Sequence, residues 1–264
     1  MSGVRSVRGA RLVAHQLRYD LLVVWRDPQS RFFSLALPII FLVLLTSLFG
    51  NGSHLVDGHR IKNSTYYVPG IATLGIISVS LVNLVISITA TREGGILKRR
   101  RSTPVPAWVL IASRALTSVI LAIVLVVVIV LIGRIAYGVH LPGTTIPVFA
   151  LDVAVGAVCF CCLAFAFTTF IRSEDAAQPT LQAITLPLYF ISGIFVPASQ
   201  LSSTLKDVAG VFPVRHLNEA LFKAFDPATK GSGFSGHDLL IVVIWAVAGL
   251  IVALRRFSWA PRGI

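Results

Sequence analysis

Apolar residues along this chain gather into long runs separated by short polar segments. A helix needs about 20 apolar residues to cross a bilayer core. Six stretches approach that length: Phe32–Phe49, Tyr67–Ala90, Ala107–Ile132, Ile146–Ile171, Ala176–Val196 and Leu239–Leu254. The third holds the uninterrupted run "VILAIVLVVVIVLI". The sixth is short, but His237 and Arg255 flank it and can reach the interfaces. Pro38 and Pro187 fall inside the first and fifth runs, where membrane helices tolerate a kink.

A different pattern precedes the first run. Val13, Leu17, Leu21 and Val24 recur at helical spacing, Arg11, His15 and Arg18 share another face, and Pro28 ends the pattern. This predicts an amphipathic helix over residues 11–28, lying in the membrane interface. Residues 197–236 hold two moderately apolar pieces divided by Pro213, too short or too charged to span. They predict short helices that dip into the outer leaflet and return. "GSGFSG" (Gly231–Gly236) then reads as a flexible connector. Residues 50–66 are polar and read as an ordinary external turn, with Asn51 and Asn63 heading glycosylation-type triplets that are common by chance. The fold class expected is an all-α polytopic membrane protein, one domain over residues 1–264.

Composition agrees: 55% of residues are hydrophobic and only 13% charged, with a mean hydropathy of +0.83. A water-soluble core is excluded. The net charge of +12 then becomes a matter of orientation, not of nucleic-acid binding. With both termini cytoplasmic, sixteen of the 23 Lys and Arg fall on the inner side, as the positive-inside bias requires. No short apolar core followed by a small-residue cleavage site occurs near the start, so no cleaved leader is expected. Cys159, Cys161 and Cys162 crowd one apolar run without a nearby histidine or carboxylate, which predicts a buried, reduced cluster and no metal site.

Chemistry-bearing motifs are missing. No G-x-x-x-x-G-K-[ST], G-x-S-x-G or H-E-x-x-H occurs, so the chain has no nucleotide cradle and is not expected to be an enzyme by itself. Asp152 is the only carboxylate inside a span, and its position near one end suggests that it reaches water. Ion-driven carriers and channels keep ionisable groups or filters deeper than that. The chain therefore needs a partner that supplies energy.

The segment "TREGGILKRRRSTPVPAW", between the second and third spans, is where such a partner could grip. Thr91 ends the span, Gly94 and Gly95 permit a turn, and Ile96–Arg101 form a compact basic turn. Pro104 and Pro106 then stop it. Two readings stand: these charges hold an ATPase, or they only orient the chain and touch lipid phosphates.

Glu93, Gly94, Ile96, Leu97, Lys98 and Arg99, followed by Ser102, Thr103 and Pro104, resemble the cytoplasmic loop of ABC-2 type permeases. Gly95 stands where that family often has threonine. "LPLYFISGIFVPASQLSSTLKDVAGVFPVRHLNEAL" is similar to the family's second signature, through Pro187, Ser192, Gly193, Phe195, Pro197, Leu201, Pro213 and His216. It departs at Phe222 or Lys223, where a basic or amide residue is usual. The resemblance covers essentially the whole chain. It implies a permease subunit of an ATP-binding-cassette exporter in the bacterial plasma membrane, dimerising with a second permease copy and binding no nucleic acid. Separately encoded ATPase subunits would hold the ATP and Mg²⁺, and this chain would bind no cofactor. Glu93, Gly94, Gly95, Lys98, Arg99, Arg100 and Arg101 would couple to the ATPase.

A hydrophobic or amphipathic substrate, of a drug or lipid kind, would pass along spans 1, 2 and 5. Polar residues there are Ser78, Ser80, Asn83 and Ser87, with Gln182, Thr185 and Ser192; helix–helix hydrogen bonding is the competing reading for each. His216 beside Pro213 reads as a structural histidine. Polysaccharide export is the alternative within the family. The aromatic residues are mostly phenylalanine, and the inner spans show few of the tyrosines and tryptophans that would line a sugar channel. A lipid-transferring or proteolytic membrane enzyme would need a buried serine–histidine pair or facing acids, and neither is evident.

Overall fold

Apolar surface that cannot face water is divided here between a protein core and a lipid-directed exterior. The computed structural model describes residues 12–22, 26, 28, 32–49, 52–56, 59–94, 107–139, 141–171, 173–197, 200–229 and 231–256. The basic turn at Gly95–Arg101, with Pro104 and Pro106, lies outside these residues.

Residues 12–22 form a helix, α1. Val13, Leu17 and Leu21 are half-buried while His15 and Arg18 are exposed, so the apolar stripe faces the protein. A π-turn at Phe32–Ala36 leads into α2 (Leu37–Phe49). The expected external turn is a hairpin instead: β1 (Ser53–Val56) pairs antiparallel with β2 (His59–Lys62). Asn63 secures it, donating its backbone N–H to the Gly52 carbonyl at 3.0 Å and its side-chain amide to the Phe49 carbonyl at 2.9 Å. That amide is buried and engaged with the end of α2, so Asn63 is no glycan acceptor in this fold.

The helix α3 (Asn63–Glu93) follows at once, broken only by a π-turn at Ser78–Asn83. Then come α4 (Ala107–Tyr137), α5 (Ile146–Phe167), α6 (Glu174–Ile191), α7 (Ser203–Ala209), α8 (Pro213–Phe225) and α9 (Gly236–Arg256). Among the described residues, four helices are long and apolar enough to cross a membrane: α3, α4 over Ala112–Tyr137, α5 and α9. The first and fifth runs fold as the shorter α2, of 13 residues, and as α6, whose acidic start and two internal prolines dilute its apolar character.

The centre belongs to α3. Of its apolar window 83% is buried, against 28% for α9, so α3 is surrounded by protein while α9 borders lipid. Tyr67, Ile71, Ile76 and Ile77 of α3 meet Leu125 and Ile129 of α4 and Phe160 of α5 in the buried core. Outward, α4 carries Val124, Val127 and Leu131, and α9 carries Leu240, Ile244, Val247 and Ile251, all exposed. Apolar belts of this extent suit acyl chains, not water.

Helices α5 and α9 run parallel in one register. Leu163 sits against Gly249, whose added Cβ would stand 3.0 Å from the α5 backbone; further along, the Arg256 guanidinium lies over the Phe170 ring at 6.0 Å. Small residues allow this approach, as in membrane helix pairs generally. At Gly156 a Cβ would meet Leu217 of α8 at 2.6 Å, and Leu217 is fully buried. Gly156→Val should therefore cost about 1–3 kcal/mol of overpacking, read as a lower unfolding temperature in detergent.

The segment after α6 is more deeply embedded than its composition suggested. Gly193 takes a positive φ of 82°, a left-handed turn that favours glycine, and its carbonyl accepts from the Tyr66 hydroxyl at 2.6 Å. Asn218 of α8 donates to the Ser192 carbonyl at 3.1 Å. Pro213 opens α8 at its first position, where a missing N–H costs nothing. Val214, Leu217, Leu221 and Phe225 of α8 are buried among α3, α5 and α9, so the apolar stripe of this short helix faces protein.

One expectation fails outright. Asp152 does not reach water: it is 0% exposed, because α8 and α9 both close over that end of α5. Cys159 and Cys161 are buried and all three cysteines are free thiols.

Candidate functional site

The end of α3 is where the described structure meets the basic loop, and three consecutive residues there reach three different helices. Thr91 accepts from the Arg114 guanidinium of α4 at 3.4 Å. Arg92 is 3% exposed and turns toward α5, donating to the Thr168 carbonyl at 2.8 Å and the Ile171 carbonyl at 2.6 Å. Those carbonyls stand where α5 runs out, at the end that carries partial negative charge and lacks intrahelical donors. Glu93 turns toward α6 and accepts from the Glu174 N–H at 3.0 Å, a carboxylate at a helix N-terminus. Ser173 caps the same terminus, accepting from the Ala176 N–H at 3.2 Å.

A fourth element joins through Asp20. This carboxylate of α1 is 6% exposed. It accepts from Gln16 at 2.9 Å and from the Ser113 hydroxyl at 3.1 Å, and the Arg114 guanidinium stands 4.0 Å away. Arg114 also donates to the Ser87 hydroxyl of α3. Asp20, Asn83, Ser87, Arg114, Thr117 and Ser118, with three apolar side chains of α3 and α4, line a cavity of about 30 Å³, room for one water beside polar partners.

Helix α3 continues two residues past the expected stop at Thr91, and Gly94 closes it with an ordinary φ of −65°. Gly94 itself takes no conformation reserved for glycine. Lys98, Arg99, Arg100 and Arg101, with Gly95, lie outside the described residues; Glu93 and Gly94 are the coupling candidates that the structure positions. Ser78, Ser80 and Asn83 all fall on the π-turn of α3, a local distortion common at functional sites. Ser80 is fully buried, and Asn83 and Ser87 share the small cavity. Gln182 is half-buried on α6. Thr185 donates to the Leu181 carbonyl of its own helix at 2.9 Å, and Ser192 is buried at the far end. Ser78 of α3 and Thr185 of α6 nevertheless meet at the Tyr189 side chain. Of the signature residues, Pro187 is exposed on α6 while Gly193, Pro197, Pro213 and His216 are buried in or beside the turn into α8.

Asp20, Arg92, Ser113 and Arg114 were missed as site residues, since the arginines read only as orientation charges. Two signals were present. Asp20 is the sole acid before Asp27 and falls on the apolar stripe of α1; Arg114 is the lone charge within the third run.

The ABC-2 type transporter family model matches residues 12–225, from α1 to the last residue of α8, and so takes in every contact just described. The chain belongs to the ABC-2 type transporter family, as a multi-pass membrane permease domain. No curated protein matches it.

Proposed function

We propose that this chain is the membrane-spanning subunit of an ATP-driven exporter, worked from the cytoplasm by separately encoded ATPase subunits that carry ATP and Mg²⁺. One observation carries the reading: Thr91, Arg92 and Glu93, at the root of the basic loop, hold α4, α5 and α6. A push on residues 91–106 would then reach four helices at once through short, charge-assisted contacts. The basic turn Lys98–Arg101 is the surface offered to the ATPase, and α1, tied to α4 through Asp20, forms a second part of that footing.

Six crossings with both termini inside follow if Phe32–Phe49, about 27 Å as a helix, and α6 also traverse the bilayer. Two such chains would pair in the bacterial plasma membrane. The exposed faces of α2 and α6 carry Ile40, Leu44, Ile184, Leu186 and Phe190, which favours a hydrophobic or amphipathic cargo of a drug or lipid kind passing where the copies meet.

Reversing the charges at Lys98, Arg99, Arg100 and Arg101 to glutamate tests the footing. Co-purification of the ATPase should be lost while the permease still inserts and elutes as a monodisperse species. Retention of the ATPase by this variant would refute the docking role.

A further inference from the structure

At the end of the bundle opposite Glu93, three side chains converge that the transport reading does not use. The His216 Nδ1 lies 2.7 Å from the Asp238 Oδ1, and the His237 Nδ1 lies 3.7 Å from the same oxygen. One donor atom from each of the three residues falls within 4.8 Å of the others. They come from α8 and from the first turn of α9, so whatever binds them joins the two helices.

We propose that His216, His237 and Asp238 form a divalent transition-metal site, with Zn²⁺ as the fitting ion. Two imidazoles and a carboxylate with an open fourth position are a zinc-type donor set. The surrounding contacts are those a metal site needs. The His216 Nε2 donates to the Gly210 carbonyl at 2.8 Å, which fixes the ring with its Nδ1 toward Asp238. The Ser235 hydroxyl donates to the Asp238 Oδ2 at 2.5 Å, leaving Oδ1 for a metal. Backbone carbonyls and hydroxyls commonly hold metal ligands in this way.

At 2.7 Å the His216 Nδ1 and the Asp238 Oδ1 are at direct hydrogen-bond distance, too close to hold an ion between them as they stand. Donor atoms around tetrahedral zinc stand about 3.3 Å apart. The His216–Asp238 pair must therefore open slightly, and His237, 78% exposed at its side chain, is free to swing in.

The test uses the full-length chain without a polyhistidine tag, stripped of metal in detergent and titrated with Zn²⁺ by calorimetry. Saturation at one ion per chain is expected. His237→Ala should weaken binding tenfold or more, since loss of even an outer-shell partner costs about 10–100-fold; because this side chain is exposed, the variant keeps its fold. Co²⁺ should give a tetrahedral ligand-field spectrum that His237→Ala abolishes. Absence of saturable Zn²⁺ binding, or identical binding by His237→Ala, would overturn the site and leave His216–Asp238 as an ion pair.

Discussion

Arg92→Met should be the most damaging single substitution near the basic loop, lowering stability by about 3 kcal/mol. Its guanidinium is buried and donates to two carbonyls where α5 ends. Charge-assisted hydrogen bonds contribute about 1.5–3 kcal/mol each, and methionine keeps much of the bulk while removing every donor. The Thr168 and Ile171 carbonyls would be left without this partner, and Thr168 itself is 1% exposed. Arg92→Lys should rescue only part of the loss, since an ammonium cannot reproduce a planar fork reaching two acceptors. Thermal unfolding of the purified permease in detergent gives the comparison. A melting temperature equal to that of the parent chain would mean that the α5 terminus finds its donors elsewhere. The same variant should hold less ATPase than Glu93→Ala, whose contact is one exposed hydrogen bond to α6.

The second large effect concerns Asp20 and Arg114. Asp20 is buried but Arg114 is partly exposed and 4.0 Å away, so removing one member should cost less than the about 3–5 kcal/mol of a fully buried pair, whereas replacing both by apolar residues is often close to neutral. Asp20→Leu alone should accordingly be destabilising, and Asp20→Leu combined with Arg114→Met should recover most of the loss. Strict additivity of the two substitutions would show that the residues act independently, despite the 4.0 Å approach. Protease sensitivity near residues 12–22 supplies a local readout: the single variant should release α1 from the bundle, and the double variant should hold it by apolar packing.

These contacts mark the boundary of what a one-dimensional reading could find. The runs at Ile146 and Ala107 begin where α5 and α4 begin, because hydropathy and proline placement act locally. Pro213 opens α8 as its fixed φ demands. The stripe of Val13, Leu17 and Leu21 was legible for the same reason. The hairpin at residues 53–62 was not, since its strands are too short to show an alternation above that of polar turns. Asp152 read as water-accessible from its place in a span, and only the packing of α8 and α9 over α5 buries it.

By itself, then, the order of residues determined a membrane protein, where its main apolar helices fall along the chain, and the sign of the charge on the loop after α3. Those are sums over neighbours in the chain, and burial in lipid is decided by such sums. Which polar groups carry force was decided only by tertiary structure. Arg92 is satisfied by carbonyls more than seventy residues away and Asp20 by a serine ninety-three residues away. A charge in the membrane is tolerated only where specific donors or acceptors converge on it, and that convergence exists only in the folded bundle.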